Sequence, residues 1–335
     1  MNTIRQLHRL AGVPGSVDRR RSLIGLLLAT LSMPVTVAEA QTAHRRPDKP
    51  PQMTVDSNAR PLAIAFISYA NPQQVATDSA AIAEYLEPYV GLRIKAFVTS
   101  DYGSSIEAMR SEKADAAFVD PLAFMMAHEQ IGARPLLLEI YSTGKPTYYS
   151  CIWVRRDSGI KKPQDLRGKT IAFADQVDMS GHLLPRDIFV QQGLIPGSRL
   201  KGDFFKNVYF AGGDEQAVRA VLNEVVDAAG VSQFSYLLLR PDERDQVTVI
   251  ARSVDSPSHL LMVRKGLPAQ VSARIKQALQ ALDPQVPADK ELLQKLYGVQ
   301  GFVEAKLSDF TGVARIAARY GFIKKPELFA AQPSP

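Results

Sequence analysis

The chain has 335 residues, enough for two domains with separate cores, and its 46% hydrophobic and 22% charged content is that of an ordinary globular protein. Its formal charge of +6 is weighted to the start, where residues 1–40 hold five Arg against two acids. The remaining basic residues are scattered in short pairs such as Arg155-Arg156 and Lys161-Lys162, so no basic stripe for nucleic acid is present and that class is set aside.

In chain order, Arg19-Arg20-Arg21 precedes an apolar run over 23–37, and Ala38-Glu39-Ala40 then offers small residues to a signal peptidase. The pattern predicts a signal peptide over 1–40, cleaved near Ala40 before Gln41, and a periplasmic mature protein. The apolar run is too short for a stable membrane span. Arg20-Arg21 also approximates a twin-arginine signal. Residues 41–60 are polar and contain Pro, and read as a flexible leader. Strands are expected at 62–68, 92–98, 114–119, 136–141 and 148–154, with helices at 73–86, 104–110 and 121–128. A second series follows, with strands at 170–174, 207–211 and 226–231 and helices at 181–192 and 214–223. Residues 247–251 and 259–263 are again strand-like, and the tail over 268–320 reads as mostly helical.

This alternation predicts an α/β fold with largely parallel sheets, arranged as two lobes. The chain is expected to cross near 148–154 and return near 256–263. Lobe 1 is then 61–147 plus 256–335, and lobe 2 is 148–255. Ligands of open α/β sheets sit outside the carboxyl ends of the strands. The polar ends here are Ser68-Tyr69, Ser100-Asp101-Tyr102, Asp120, 175–180 and Gly212-Gly213-Asp214, which would converge on a cleft between the lobes.

The stretch 173–182 (Phe173-Ala174-Asp175-Gln176-Val177-Asp178-Met179-Ser180-Gly181-His182) reads as a strand leaving through a polar turn into a helix. The N–H groups of such a helix start can hold a small oxygen-rich ligand. Near it in sequence lies Cys151, the chain's only cysteine, which in an oxidising compartment cannot form an internal disulfide. It is either a small buried apolar residue or a thiol with a task. Side chains alternate along a strand. If Tyr148 and Ser150 face the cleft, Cys151 faces away; if Tyr149 faces it, Cys151 does too. Asp178 and Asp214 either meet ligand or cap the helices that follow them. His182 stands two residues from Ser180, but nothing resembles a nucleophile elbow, so a hydrolase is a remote reading.

The pattern Ser100-Asp101-Tyr102, Tyr148-x-Ser150, Asp157-Ser158-Gly159-Ile160, Asp165-Leu166-Arg167-Gly168-Lys169, Ser180-Gly181 with Pro185, Gly212, and Val226-Asp227-Ala228-Ala229 resembles the phosphonate/phosphite family of periplasmic solute-binding proteins across nearly the whole mature chain. The resemblance implies a type II periplasmic binding protein fold, with two Rossmann-like lobes closing on ligand, no catalysis and no cofactor. It makes Tyr102 and Tyr148 ligand contacts, with Ser150, Met179 and Ser180 beside them. Family members usually carry Ser-Thr-Ser-Gly where this chain has Asp178-Met179-Ser180-Gly181, and a His where it has Asp214. Phe234 and His259 fall where aminophosphonate binders carry acids.

Ionised Asp is acceptor-only, so two such groups about 4 Å from a dianion would cost several kcal/mol even at an effective dielectric near 20. The cleft is therefore expected to favour a neutral ligand with hydroxyl donors, or a cation. With Cys151 as a soft thiolate, the expected ligand is arsenite or a similar trivalent oxo-metalloid, bonded to Cys151 and hydrogen-bonded to Asp178 and Asp214. Such a chain resembles the arsenite-sensing branch of the family, whose partner is a membrane histidine kinase. The alternative is the substrate-binding subunit of an ABC importer, partnered by its permease and carrying phosphonate, phosphite or another small oxyanion.

Overall fold

The computed structural model describes residues 47–67, 72–197, 200, 204–296 and 298–330. The expected signal peptide, the start of the leader and Ser68-Tyr69 lie outside the described residues. In chain order the first elements are β1 (Leu62–Ile67), α1 (Pro72–Val90), β2 (Ile94–Thr99), α2 (Tyr102–Arg110), β3 (Ala116–Val119), α3 (Pro121–Ile131), β4 (Arg134–Ile140) and the short β5 (Thr147–Tyr148). There follow β6 (Ser150–Arg155), β7 (Thr170–Phe173), a π-type turn Met179–Leu183 running into α4 (Leu184–Gln191), β8 (Asn207–Phe210), α5 (Asp214–Leu222), β9 (Ala228–Ser232), α6 (Pro241–Arg244) and β10 (Val247–Arg252). The last are β11 (Ser256–Pro257), β12 (Leu260–Val263), α7 (Ala269–Gln280), α8 (Pro287–Gln294), β13 (Gly301–Glu304) and α9 (Thr311–Arg319).

Two sheets result, ordered β13-β4-β12-β3-β1-β2 and β10-β6-β9-β7-β8. Strand β1 is apolar at all six positions and all six are buried, as a strand covered on both faces requires. Each sheet has a parallel core, β2-β1-β3 in one and β8-β7-β9 in the other. The expectation of largely parallel sheets needs correction beyond that core. Strand β12 runs antiparallel to β3 and β4, β13 antiparallel to β4, and β6 antiparallel to both β9 and β10. Strands β6 and β12 follow the two crossings between sheets rather than a helical crossover, so no right-handed βαβ unit dictates their direction. The tail is also less helical than expected, because Gly301–Glu304 pairs with β4 at the sheet edge. A four-residue edge strand gives too short an alternation to be seen against the helical pattern around it.

The two crossings lie side by side. Strands β5 and β11 form an antiparallel ribbon with Tyr148 opposite Ser256 and Thr147 opposite Pro257. The second sheet buries one face under α4, through Ile152, Phe173, Ile188 and Phe189, and the other under α5, through Cys151, Trp153, Val218 and Val231. Trp153 therefore belongs to the α5-side core. Beside the first sheet, Leu122, Phe124, Phe310 and Val313 share one apolar cluster with Met179, Leu183 and Leu184 of the π-type turn and α4. The two sheets' helices thus meet through hydrocarbon next to the strand ends.

Candidate functional site

The carboxyl ends of β3, β7 and β8 each deliver an Asp. Asp120 follows β3 and caps α3: its Oδ1 accepts from the Ala123 N–H at 2.7 Å, and Pro121 fits the first helical position, where no N–H is needed. Its Oδ2 accepts from the Met179 N–H at 2.9 Å, tying the first sheet's helix layer to the turn after β7. Asp178 caps that turn, its Oδ1 accepting from the Gly181 N–H at 2.8 Å and from the Ser180 hydroxyl at 2.9 Å. Asp214 opens α5, and its Oδ2 accepts from the Ser232 N–H at 3.1 Å and the Ser235 hydroxyl at 2.8 Å. Its Oδ1 is buried without a hydrogen-bond partner.

The turn is a π segment because its bonds reach five residues: Leu183 N–H to Asp178 O at 3.0 Å, and Leu184 N–H to Met179 O. One extra residue per turn widens the backbone, a feature that often marks functional positions. Gly181 sits where this turn crosses the end of β7. A methyl there would lie 2.3 Å from the Ala174 Cβ, 3.0 Å from Asp214 Oδ1 and 3.1 Å from Asp178 Oδ2. One oxygen of Asp214 and one of Asp178 therefore face the same side of one glycine.

Asp120 is buried and Asp178 and Asp214 are half-buried, and the proton affinity of all three carboxyls is raised. Burial, then the Asp178 charge, pushes Asp120 up to about 8. Burial, then the same neighbour, pushes Asp214 up to about 7. Asp178 is also raised, first by burial, against the hydrogen bonds from Gly181 and Ser180. Among the described residues no Lys or Arg joins them in an ion pair or hydrogen bond.

Tyr148 reaches this cluster from β5. It is 2% exposed, and its hydroxyl has no partner of full hydrogen-bond geometry, with the Ser256 hydroxyl, which donates to the Pro257 carbonyl at 3.0 Å, its weak neighbour. Burial, then Asp120, Asp178 and Asp214, raises its ionisation well above that of a free phenol, so it stays a donor. The His259 ring stacks on Tyr148 with centroids 5.9 Å apart, and its Nδ1 lies 2.9 Å from the Tyr141 hydroxyl. Phe234 packs on Tyr141 at 5.0 Å. Phe234 and His259, with Tyr141 between them, thus form an aromatic wall behind Tyr148.

The other expected site residues divide. Tyr102 is half-buried against the apolar cluster that holds Tyr148 and Met179. Ser150 is fully buried; its N–H donates to the Ser253 hydroxyl at 2.9 Å and its own hydroxyl has no partner. Ser180 is committed to Asp178 through its hydroxyl hydrogen. Met179 needs correction as a side-chain contact, because its side chain is sealed in the apolar cluster and only its N–H is offered, to Asp120. Cys151 needs correction more sharply. It is 3% exposed among Trp153, Ala172, Val218 and Val231 on the α5 face, and burial pushes its thiol up to about 12. Strand alternation places it beside Trp153 on the face that α5 covers. A neutral thiol walled by hydrocarbon is a poor metalloid ligand.

The Ser180–His182 pair is not assembled either. The Ser180 hydroxyl donates to Asp178, while the His182 Nδ1 lies 2.8 Å from the Gln176 carbonyl and burial lowers the ring to about 4. Asp120 is the contact that sequence reasoning placed at the cleft but left out of the ligand set. Its signal was an Asp-Pro pair at a strand-to-helix junction. Glu139, buried with its carboxyl held by the Tyr141 hydroxyl at 2.5 Å and raised to about 7, had no such signal.

Two α/β sheets joined by a two-stranded crossing, with polar strand ends meeting between them, define a two-lobe solute-binding protein. The family model described as ABC transporter, phosphonate, periplasmic substrate-binding protein matches residues 64–310, and the chain belongs to that family. It is 28% identical over 197 residues to the phosphate-import protein PhnD of Mycolicibacterium smegmatis, covering 57% of this chain and 61% of that one. It is 25% identical over 248 residues to the phosphonates-binding periplasmic protein of Escherichia coli, covering 72% and 71%. Among solved structures, PhnD1 from Prochlorococcus marinus in complex with methylphosphonate superposes with TM-score 0.67 at 14% identity, over 78% of this chain and 98% of that one. XAC2383 from Xanthomonas citri bound to chloride gives 0.66 at 21%, over 77% and 96%. These neighbours share the type II periplasmic binding fold. None of the helices among the described residues is long and apolar enough to cross a membrane.

Proposed function

We propose that this protein is exported by the signal in residues 1–40 and serves as the substrate-binding subunit of an ABC importer for a small oxyanion of the phosphonate, phosphite or phosphate kind. The observation that carries this reading is the family match across both lobes. The names of the two relatives, one a phosphate importer and one a phosphonate binder, support the same ligand class and role. Ligand would enter between the strand ends and meet Tyr148, Ser180 and Asp214, with Tyr102 at the margin, as the lobes close about the β5–β11 ribbon. The role is binding and delivery, with no bond made or broken. The metalloid reading, and with it presentation to a sensor kinase, loses its support because it needs the Cys151 sulfur in the cleft.

Calorimetric titration of protein purified from the periplasm with phosphate, phosphite, methylphosphonate and arsenite tests the reading. At least one phosphorus oxyanion is expected to bind with micromolar affinity, about −8 kcal/mol. Arsenite binding that Cys151→Ser abolishes, with no phosphorus oxyanion bound, would reverse the choice.

A further inference from the structure

An oxyanion site floored by three carboxyls is electrostatically awkward, and the awkwardness itself is informative. At an effective dielectric of 20, each pair of unit charges about 5 Å apart repels by roughly 3 kcal/mol, and a dianionic ligand would add to that. The described residues supply no cation to the cluster. What they do supply is a pair of buried, unpartnered polar atoms, the Tyr148 hydroxyl and Asp214 Oδ1. A phenol donates a hydrogen bond. A carboxylate does not, but a carboxylic acid does.

We infer that this cleft binds its oxyanion together with a proton, and that Asp214 holds that proton on Oδ1 and donates it in a hydrogen bond to the ligand beside the Tyr148 hydroxyl. The inference rests on the oxyanion reading above and names its proton requirement. Asp214 is suited to the task because its other oxygen is already satisfied by the Ser232 N–H and Ser235 hydroxyl, which fixes the carboxyl's orientation. The groups around it are acids and one phenol. Asp178 shares the Gly181 side, Asp120 lies across the lobe contact, Tyr148 is neutral, and Asp175 acts on Asp178 from the same turn. Burial, and after it the Asp178 charge, raises Asp214 to about 7, so above that pH the carboxyl is ionised in the free protein and must regain its proton to donate. The proton comes from solvent on binding and returns to it on release.

The test counts protons. Protein from the periplasm is titrated with phosphite and with methylphosphonate between about pH 5.5 and 8.5, in buffers of different ionisation enthalpy, alongside Asp214→Asn. The Asn carbonyl still accepts from Ser232 and Ser235, and its amide donates without a proton being taken up. Near pH 8 the wild type is expected to take up about one more proton per ligand than the variant, and its affinity to fall about tenfold more per pH unit. Subtracting the variant removes the ligand's own titration. If Asp214→Asn does not fold, Asp178→Asn is used: its amide lifts one negative charge, so the wild-type fall in affinity should begin at lower pH in the variant. Oxyanion binding with equal proton counts and equal slopes overturns this inference alone. If neither oxyanion binds at any pH while methylammonium does, the oxyanion reading falls and this inference with it.

Discussion

Gly181→Ala probes the geometry on which the site depends. Its Cβ would stand 2.3 Å from the Ala174 Cβ, where contacting carbons prefer about 3.5–4.0 Å, so one of the two backbones must move by more than 1 Å. Neither is free to do so. The Ala174 N–H donates to the Gly181 carbonyl at 2.8 Å, and the Gly212 N–H to the Ala174 carbonyl at 2.8 Å, fastening the turn to β7 and the approach to α5. Overpacking of this kind costs about 1–3 kcal/mol. For a folded part of about 290 residues that is a loss of roughly 2–5 °C in thermal midpoint. The displaced methyl also presses on Asp178 and Asp214, so ligand affinity should fall further than stability does. Differential scanning calorimetry and ligand titration read the two effects separately. Adding Ala174→Gly removes the colliding methyl and should restore most of both, giving a non-additive cycle between the two positions. A Gly181→Ala protein with the parent's midpoint and affinity, or a double variant no better than the single, would refute the packing argument.

Two further outcomes are expected. Cys151 should resist a maleimide or disulfide probe in the folded protein and react once it is denatured, because the thiol is buried and pushed up to about 12. Cys151→Ser places a hydroxyl among Trp153, Val218 and Val231 and should lower stability by about 1–3 kcal/mol while oxyanion affinity is kept; rapid labelling of the native state would disprove the burial. The pH dependence of ligand-free stability has a definite sign. Asp120, Asp214 and Glu139 are raised to about 8, 7 and 7, so the stability they contribute is complete below the unfolded carboxylate range and is lost as pH rises through those values. His182 and His259 are lowered to about 4 by burial, so their contribution is present above the unfolded value near 6.5 and lost as pH falls toward 4. Between about pH 6.5 and 8 only the carboxyls act, and the urea midpoint should fall across that window, less steeply in Asp214→Asn. A midpoint that rises there contradicts the account.

Much of the architecture is written locally. The all-apolar run Leu62–Ile67 can only be a strand covered on both faces, and Asp120-Pro121 sets the start of α3 by a cap and a fixed φ. The turn around Ser180-Gly181 was legible too, because a capping Asp, a Ser and a Gly before an apolar helix announce themselves by type and spacing. The family resemblance in these segments followed from the same residues.

What the sequence could not fix is which side chains share a space. Whether Cys151 or Ser150 faces the cleft depends on which face of β6 lies under α5, and that is set by the packing of Val218 and Val231, distant in sequence. The convergence of Asp120, Asp178 and Asp214 depends on three strands ending at one level and on the Asp120–Met179 bond between the two halves of the fold. Proton affinity then follows from that convergence, because a carboxyl's charge is costly only once water is gone and like charges are near. Single residues carry their hydrogen-bonding type in the sequence, but their electrostatic environment exists only in the folded chain.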